Sequence, residues 1–197
     1  MTLVANNESE MKEMMKTYRR YLKRKGLELN VNNSKIMEFR KAGGKRQKIE
    51  IFWKEGEKVE TVEEFKYLGY VLKGNNNEVG HIKYLEEKGK VKMGVVWSLG
   101  EWKFKKSWTR KIIIFDALVK SVMMYGAEIW GWEKREEIER VRKRYVRWCL
   151  GVDYNTPVYS VRWETGKWSM FIGASNRAMK FDAKMARCKE GSIRKEC

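Results

Sequence analysis

The sequence predicts an α+β protein: one helix with short antiparallel strands first, then a bundle of helices. Three observations carry this. Up to residue 77 the apolar residues mostly alternate, apart from one helical run near the start. From residue 78 they recur every three to four positions instead. Between the two lies Lys73-Gly74-Asn75-Asn76-Asn77, a turn-forming stretch that makes the best domain boundary in the chain.

In chain order, Thr2-Leu3-Val4-Ala5 reads as a short apolar strand. Asn7 and Glu10 have the spacing of a helix-starting capping box, and Met11, Met14, Met15, Tyr18 and Leu22 follow on one helical face. Arg19, Arg20, Lys23, Arg24 and Lys25 crowd the last turns, where cations suit the helix dipole, and Gly26 is a stop. Leu27-Glu28-Leu29-Asn30 leads through a turn at Asn32-Asn33-Ser34 to a strand at Lys35-Ile36-Met37-Glu38-Phe39. Residues 41–48 contain Gly43-Gly44 and read as an exposed loop. Residues 48–53 and 58–62 read as a hairpin turning at Glu55-Gly56. The stretch Phe65-Lys66-Tyr67-Leu68-Gly69-Tyr70-Val71-Leu72 alternates without a fully polar face, which predicts a strand covered on both sides.

Beyond the boundary, Ile82, Leu85, Gly89, Met93, Val96 and Leu99 mark one face of a helix. Ser107 caps a second, which runs through Ile112-Ile113-Ile114-Phe115 to Tyr125 and is apolar enough for the centre of a bundle. Residues 134–150 read as a third helix, stopped by Gly151. Its Ile138, Val141, Tyr145 and Trp148 face inward, while Arg140, Lys143, Arg144 and Arg147 form an outward basic stripe. Thr156-Pro157 marks a turn, and residues 174–189 form a last, weaker helical run.

The net charge of +17 and a pI near 9.8 suggest a polyanionic partner, for which nucleic acid is the usual candidate. The excess is greatest over residues 81–150, with 17 basic and 9 acidic side chains. Cys149, Cys188 and Cys197 show no Cys-x-x-Cys spacing and His81 is the single histidine, so no metal site is readable. The odd cysteine count points to a reducing compartment, hence an intracellular protein, nuclear or cytoplasmic. No apolar run approaches the roughly 20 residues a membrane span needs. The first residues are too polar for a signal peptide.

The order of motifs carries a resemblance. An apolar stub and a helix precede Gly26-Leu27-x-Leu29-Asn30-x-x-x-Ser34-Lys35 and a hairpin. Then come Phe65-Lys66-Tyr67-Leu68-Gly69-Tyr70 and basic helices containing Tyr125-Gly126-x-Glu128-x-Trp130. This resembles the C-terminal half of a reverse transcriptase, an RNA-directed DNA polymerase, and is most similar to those of non-LTR retrotransposons. The resemblance covers about residues 1–165.

It implies an incomplete palm with a primer-grip hairpin over residues 1–77, a helical thumb over 78–152, and a post-thumb linker or helical extension over 153–197. Lys35 matches the position of a general acid that protonates the leaving pyrophosphate. Phe65, Lys66, Tyr67, Leu68, Gly69 and Tyr70 match the primer grip, which positions the primer's 3′ end, and Gly69 lets backbone approach the strand. The stripe of Arg140, Lys143, Arg144 and Arg147 matches the thumb surface that holds the duplex of RNA template and DNA primer by its phosphates. The segment Thr156-Pro157-Val158-Tyr159-x-Val161-Arg162-x-Glu164 resembles a linker after the thumb. In that family an apolar strand like Thr2-Leu3-Val4-Ala5 directly follows the catalytic Tyr-Ala-Asp-Asp box, whose aspartates clamp two Mg²⁺ ions in the full-length enzyme. No Asp precedes Asp116 here. The resemblance therefore implies a fragment that binds template–primer, needs no cofactor of its own and is inactive alone. An unpaired palm sheet edge would promote association.

Two other readings compete. One is a stand-alone basic nucleic-acid-binding module. The other is a helical protein-interaction domain with Trp97, Trp102, Trp108, Trp130 and Trp132 as its partner surface.

Overall fold

Helix α1 spans Glu8–Arg24 in the computed structural model, which describes residues 2–41, 44, 50–54 and 56–188. Both ends of α1 are set locally. The Asn7 side chain accepts from the Glu10 amide at 2.8 Å, and the Glu10 carboxylate accepts in return from the Asn6 amide at 2.8 Å. At the other end Gly26 takes φ +65°, and the amides of Gly26 and Leu27 bond back to the carbonyls of Lys23 and Leu22. That is a Schellman cap, and it favours glycine because a Cβ is strained at that φ.

The chain divides into two compact units, Met1–Asn77 and Glu78–Cys197. In the first, β1 (Lys35–Ile36), β2 (Ile51–Lys54) and β3 (Glu57–Thr61) form a sheet in the order β1-β3-β2. The β2–β3 hairpin is antiparallel, with Ile51 opposite Val59 and Gly56 at φ +83° in its turn. Glu55 lies outside the described residues, as do all but Lys41 and Gly44 of the expected loop at residues 41–48. The expectation of antiparallel strands is corrected at β1, which pairs with β3 in parallel, Lys35 opposite Glu60. Parallel pairing is open to it because the chain leaves β1 and returns to the sheet before β3. The strand expected at Thr2-Leu3-Val4-Ala5 is absent, and Val4 is 80% exposed. A strand needs a neighbour to satisfy its backbone, and none of the described strands pairs with this stretch.

The core of this unit is small: Leu22, Trp53 and Val59, with Met15, Tyr18, Leu29, Val31 and Ile36 packed around them. Alternation places it. Ile51, Trp53 and Val59 point in, while Phe52, Lys54, Lys58 and Glu60 point out.

In the second unit, α2 (Val79–Lys103) buries Ile82, Leu85, Gly89, Met93 and Val96, as its periodicity predicts. Ser107 caps α3 (Trp108–Phe115) by accepting from the Arg110 amide. The helix expected to continue to Tyr125 passes through a π-helical turn, Asp116–Lys120, before α4 (Ser121–Met123). A π turn widens the register by one residue. It is followed by Met123, whose side chain covers Gly89 so closely that a Cβ there would lie 2.8 Å from it. α5 (Ala127–Trp130) follows Gly126 at φ +69°. α6 (Glu136–Leu150) ends in a second Schellman cap at Gly151. α7 (Val158–Thr165) starts just after Pro157, and α8 (Met170–Ala186) begins at Ser169.

Residues 153–197, expected to be a linker or extension, contribute two helices to this unit. α8 packs on α5 and α6, and α7 packs on α6. Phe115, Val119, Met123, Trp130 and Tyr145 are at most 2% exposed, and Phe115 stacks on Tyr145 at 4.6 Å. Such side chains contribute about 1.5–3 kcal/mol each, so this apolar seam holds the bundle.

Candidate nucleic-acid interface

The stretch Phe65-Lys66-Tyr67-Leu68-Gly69-Tyr70-Val71-Leu72 is a hairpin and not one strand, which corrects the expectation of a strand covered on both sides. β4 (Glu64–Tyr67) pairs antiparallel with β5 (Tyr70–Lys73), Phe65 opposite Leu72 and Tyr67 opposite Tyr70. Leu68 at φ 47° and Gly69 at φ 87° are the two central residues of the turn. Positive φ at both positions is the type I′ geometry, whose twist suits a two-residue hairpin. Periodicity missed it because only Gly69 signals the turn; Leu68 has no propensity for that conformation. Leu68 is 77% exposed at the tip, Tyr67 is exposed beside it, and Val71 alone of the eight is buried. The hairpin is tied to the preceding chain. Arg40 forms two hydrogen bonds with Glu63, and the Arg40 and Gly74 amides bond to the carbonyls of Gly74 and Glu63.

Lys35 forms an ion pair with Glu60, directly opposite it in the β1–β3 ladder, and its side chain is 22% exposed. The cross-strand pair holds the ammonium to the sheet.

The stripe on α6 is broken up by partners. Arg140 is 66% exposed and lies 3.9 Å from Glu86. Arg144 is exposed. Lys143 bonds Glu136 at 3.0 Å and is largely covered. Lys134 also bonds Glu136, and the two lysines hold its carboxyl below the usual range. Arg147 turns away from solvent. Its guanidinium donates twice to the Thr156 carbonyl, at 2.8 and 3.3 Å, and lies 5.3 Å from the centroid of the Tyr154 ring. The expectation of four outward cations is therefore corrected to two, Arg140 and Arg144. Helical spacing fixes which face a side chain leaves from, but not what a neighbouring segment offers it.

The other side of α6 holds charges that spacing did not reveal. Glu139 is 2% exposed, accepts from the Ser169 hydroxyl and, at 3.2 Å, from the Phe171 amide, and faces Arg162. It caps α8 from a neighbouring helix, where its charge suits the helix dipole. Arg142 is 7% exposed, and burial lowers its pKa while Asp116 and Glu139 oppose that shift. Lys167 bonds Asp116 at 2.9 Å. Lys143, Arg162, Lys167 and Trp168 line a shallow concavity above Glu139, between α6 and α7.

The remaining polar groups of the bundle are structural. Trp130 Nε1 donates to the Tyr125 carbonyl at 2.9 Å, and His81 Nε2 lies 3.2 Å from the same oxygen. Burial lowers the His81 pKa. Lys111 bonds Glu101 at 3.0 Å and sits 4.3 Å above the Trp148 ring, which also packs against Trp97 and Tyr145. Burial pushes the Cys149 thiol up to about 11. The five tryptophans expected to form a partner surface are dispersed: Trp130 is in the core, Trp97 stacks on Trp148, and Trp108 packs beside Ile112. Trp102 and Trp132 remain exposed.

Among the described residues no three His, Cys, Asp or Glu side chains come together as metal ligands. No described helix is long and apolar enough to cross a membrane. Comparison with protein-family models, with curated proteins and with solved structures found no match.

Proposed function

We propose that this chain is a palm-and-thumb fragment of a retrotransposon-type reverse transcriptase that holds a template–primer duplex without itself polymerising. The observation that carries the reading is the hairpin at residues 64–73, with its exposed Leu68-Gly69 tip, followed within five residues by a basic helical unit. Gly69 leaves room for a strand's backbone beside the tip, and Tyr67 and Leu68 offer apolar surface to a sugar. Arg140 and Arg144 offer charge to phosphates without reading bases.

The test is affinity for an RNA–DNA hybrid against salt, for the parent and for the double variant Arg140→Gln/Arg144→Gln. Gln keeps good helix propensity, so folding is preserved. Each lost phosphate contact makes the slope of log affinity on log salt shallower by about 0.9, so the variant loses roughly 2. A variant that folds and keeps the parent's slope overturns the assignment of this face. Lys143 and Arg147 are left unchanged because their partners are within the protein.

The same preparation is expected to incorporate no nucleotides on a primed RNA template with Mg²⁺. No Asp precedes Asp116, and Asp116 is bonded to Lys167 inside the helical unit. Template-dependent extension by this chain alone would overturn that part of the reading.

A further inference from the structure

Residues 154–168 expose four large aromatic side chains in fifteen positions: Tyr154 at 73%, Tyr159 at 75%, Trp163 at 90% and Trp168 at 72%. Soluble proteins scatter single apolar residues on their surface, but grouped bare tryptophans mark interaction sites. The arrangement is built. Val161 and Thr165 on α7 are buried, which fixes the helix on its opposite side. Tyr159 and Trp163 are then four residues apart on the solvent face, with Arg162 three residues from Tyr159 beside them. Trp168 lies at the rim of the concavity with Lys143, Arg162 and Lys167.

The one acidic group lining that concavity, Glu139, is 2% exposed and already satisfied by Ser169, Phe171 and Arg162. Glu164 is exposed, but on α7 it points away from the Tyr159–Trp163 face. Tyr159, Trp163 and Trp168 each have a cation near them in the chain, Arg162 between Tyr159 and Trp163 and Lys167 before Trp168, and each of these cations faces one acid of the bundle on its inner side. An apolar protein partner would want the rings without the cations. A duplex would use the cations but hides the faces of its bases. Unpaired bases on a phosphate backbone use both.

We propose that the α7 face formed by Tyr159, Arg162 and Trp163, continued by Trp168 three residues past the helix, is a stacking platform for a short single strand of nucleic acid. The bases stack on the rings, and the phosphates lie along Arg162, Lys167 and Lys143, the cations that line the concavity. The site tolerates any sequence, since every base has a π-face. It is separate from the duplex surface proposed above and shares with it only the class of partner.

The full chain is tested by fluorescence anisotropy with a labelled oligothymidylate of about twelve nucleotides, the span of one such site. A blunt RNA–DNA hybrid is measured in parallel. Tyr159→Ala/Trp163→Ala and Trp168→Ala remove rings that are largely exposed, so circular dichroism is expected to be unchanged. Each ring removed is expected to weaken strand binding roughly 5- to 100-fold, while hybrid binding changes less than about twofold. Trp163→Phe is expected to restore most of the affinity lost in Trp163→Ala. If the double variant loses helical content, Trp163→Gln and Trp168→Gln are read instead, with the same outcomes.

Ring variants that bind the strand as the parent does overturn the proposal, because charge alone would then account for binding. Equal losses for strand and hybrid overturn it too. So does a parent that sediments as a dimer, binds no strand and becomes monomeric on ring removal, which would make the face a protein interface. Ring-dependent strand binding in a parent with no hybrid affinity supports the platform and sinks the duplex reading instead.

Discussion

Glu139→Ala is expected to lower the stability of the chain by about 3 kcal/mol. Glu139 is 2% exposed and serves two elements at once. It accepts from Ser169 and Phe171 at the start of α8, and it lies beside Arg142 and Arg162. Alanine leaves Arg142 buried with Asp116 as its remaining opposite charge, and leaves the Phe171 amide with the Ser169 hydroxyl as its one side-chain acceptor. Removing one member of a buried ion pair is costly because the other stays desolvated. Glu139→Gln separates the two effects. It keeps an acceptor for Ser169 and Phe171 but removes the charge facing Arg142, so its loss lies between the parent and alanine. The measurement is urea unfolding of all three proteins followed by far-ultraviolet circular dichroism. An alanine variant within about 1 kcal/mol of the parent would show that α8 does not depend on this carboxylate.

Gly131→Ala is expected to cost about 3 kcal/mol by overpacking against backbone. A Cβ on Gly131 would lie 2.4 Å from the Ala127 carbonyl oxygen, and 2.5 and 2.7 Å from the carbonyl oxygen and carbon of Ala174. The Ala174 atoms belong to α8, so relieving those contacts requires α5 and α8 to separate, while the Ala127 oxygen lies in the turn of α5 that Gly131 itself ends. Ser175 donates to the Gly131 carbonyl and Arg177 to the Met124 carbonyl, and both bonds would stretch with that movement. Gly94→Ala is the matched control. It sits in α2 with nothing within 4 Å of its Cβ position, and is expected to gain about 0.5–1 kcal/mol from helix propensity. Thermal unfolding of both variants decides the matter. If Gly131→Ala unfolds with the parent, α5 and α8 are not as tightly apposed as the backbone geometry requires.

Local rules account for much of what was legible. Asn7, Ser107, Gly26 and Gly151 each act within four residues of themselves, so the starts of α1 and α3 and the ends of α1 and α6 follow from sequence. The inward faces of α2 and α6 follow as well, because a period of 3.6 sorts side chains whatever lies opposite. The change of period at residues 73–77 coincides with the division between the two units.

What the sequence left open was decided at a distance. The π turn at Asp116–Lys120 has no local signal; it accompanies the meeting of Met123 with Gly89, 34 positions away. Lys143 and Arg147 read as outward cations because Glu136 and the Thr156 carbonyl reach them only in the folded chain, as Glu60 reaches Lys35. Glu139 carries no local signal of its role, since the amide it caps is 32 residues on. The rings of α7 were visible in the sequence from the start. Only the packing of Val161 and Thr165 onto the bundle decides that Tyr159 and Trp163 face water. Propensity acts on a residue and its near neighbours, whereas burial and pairing belong to whatever the rest of the chain brings alongside.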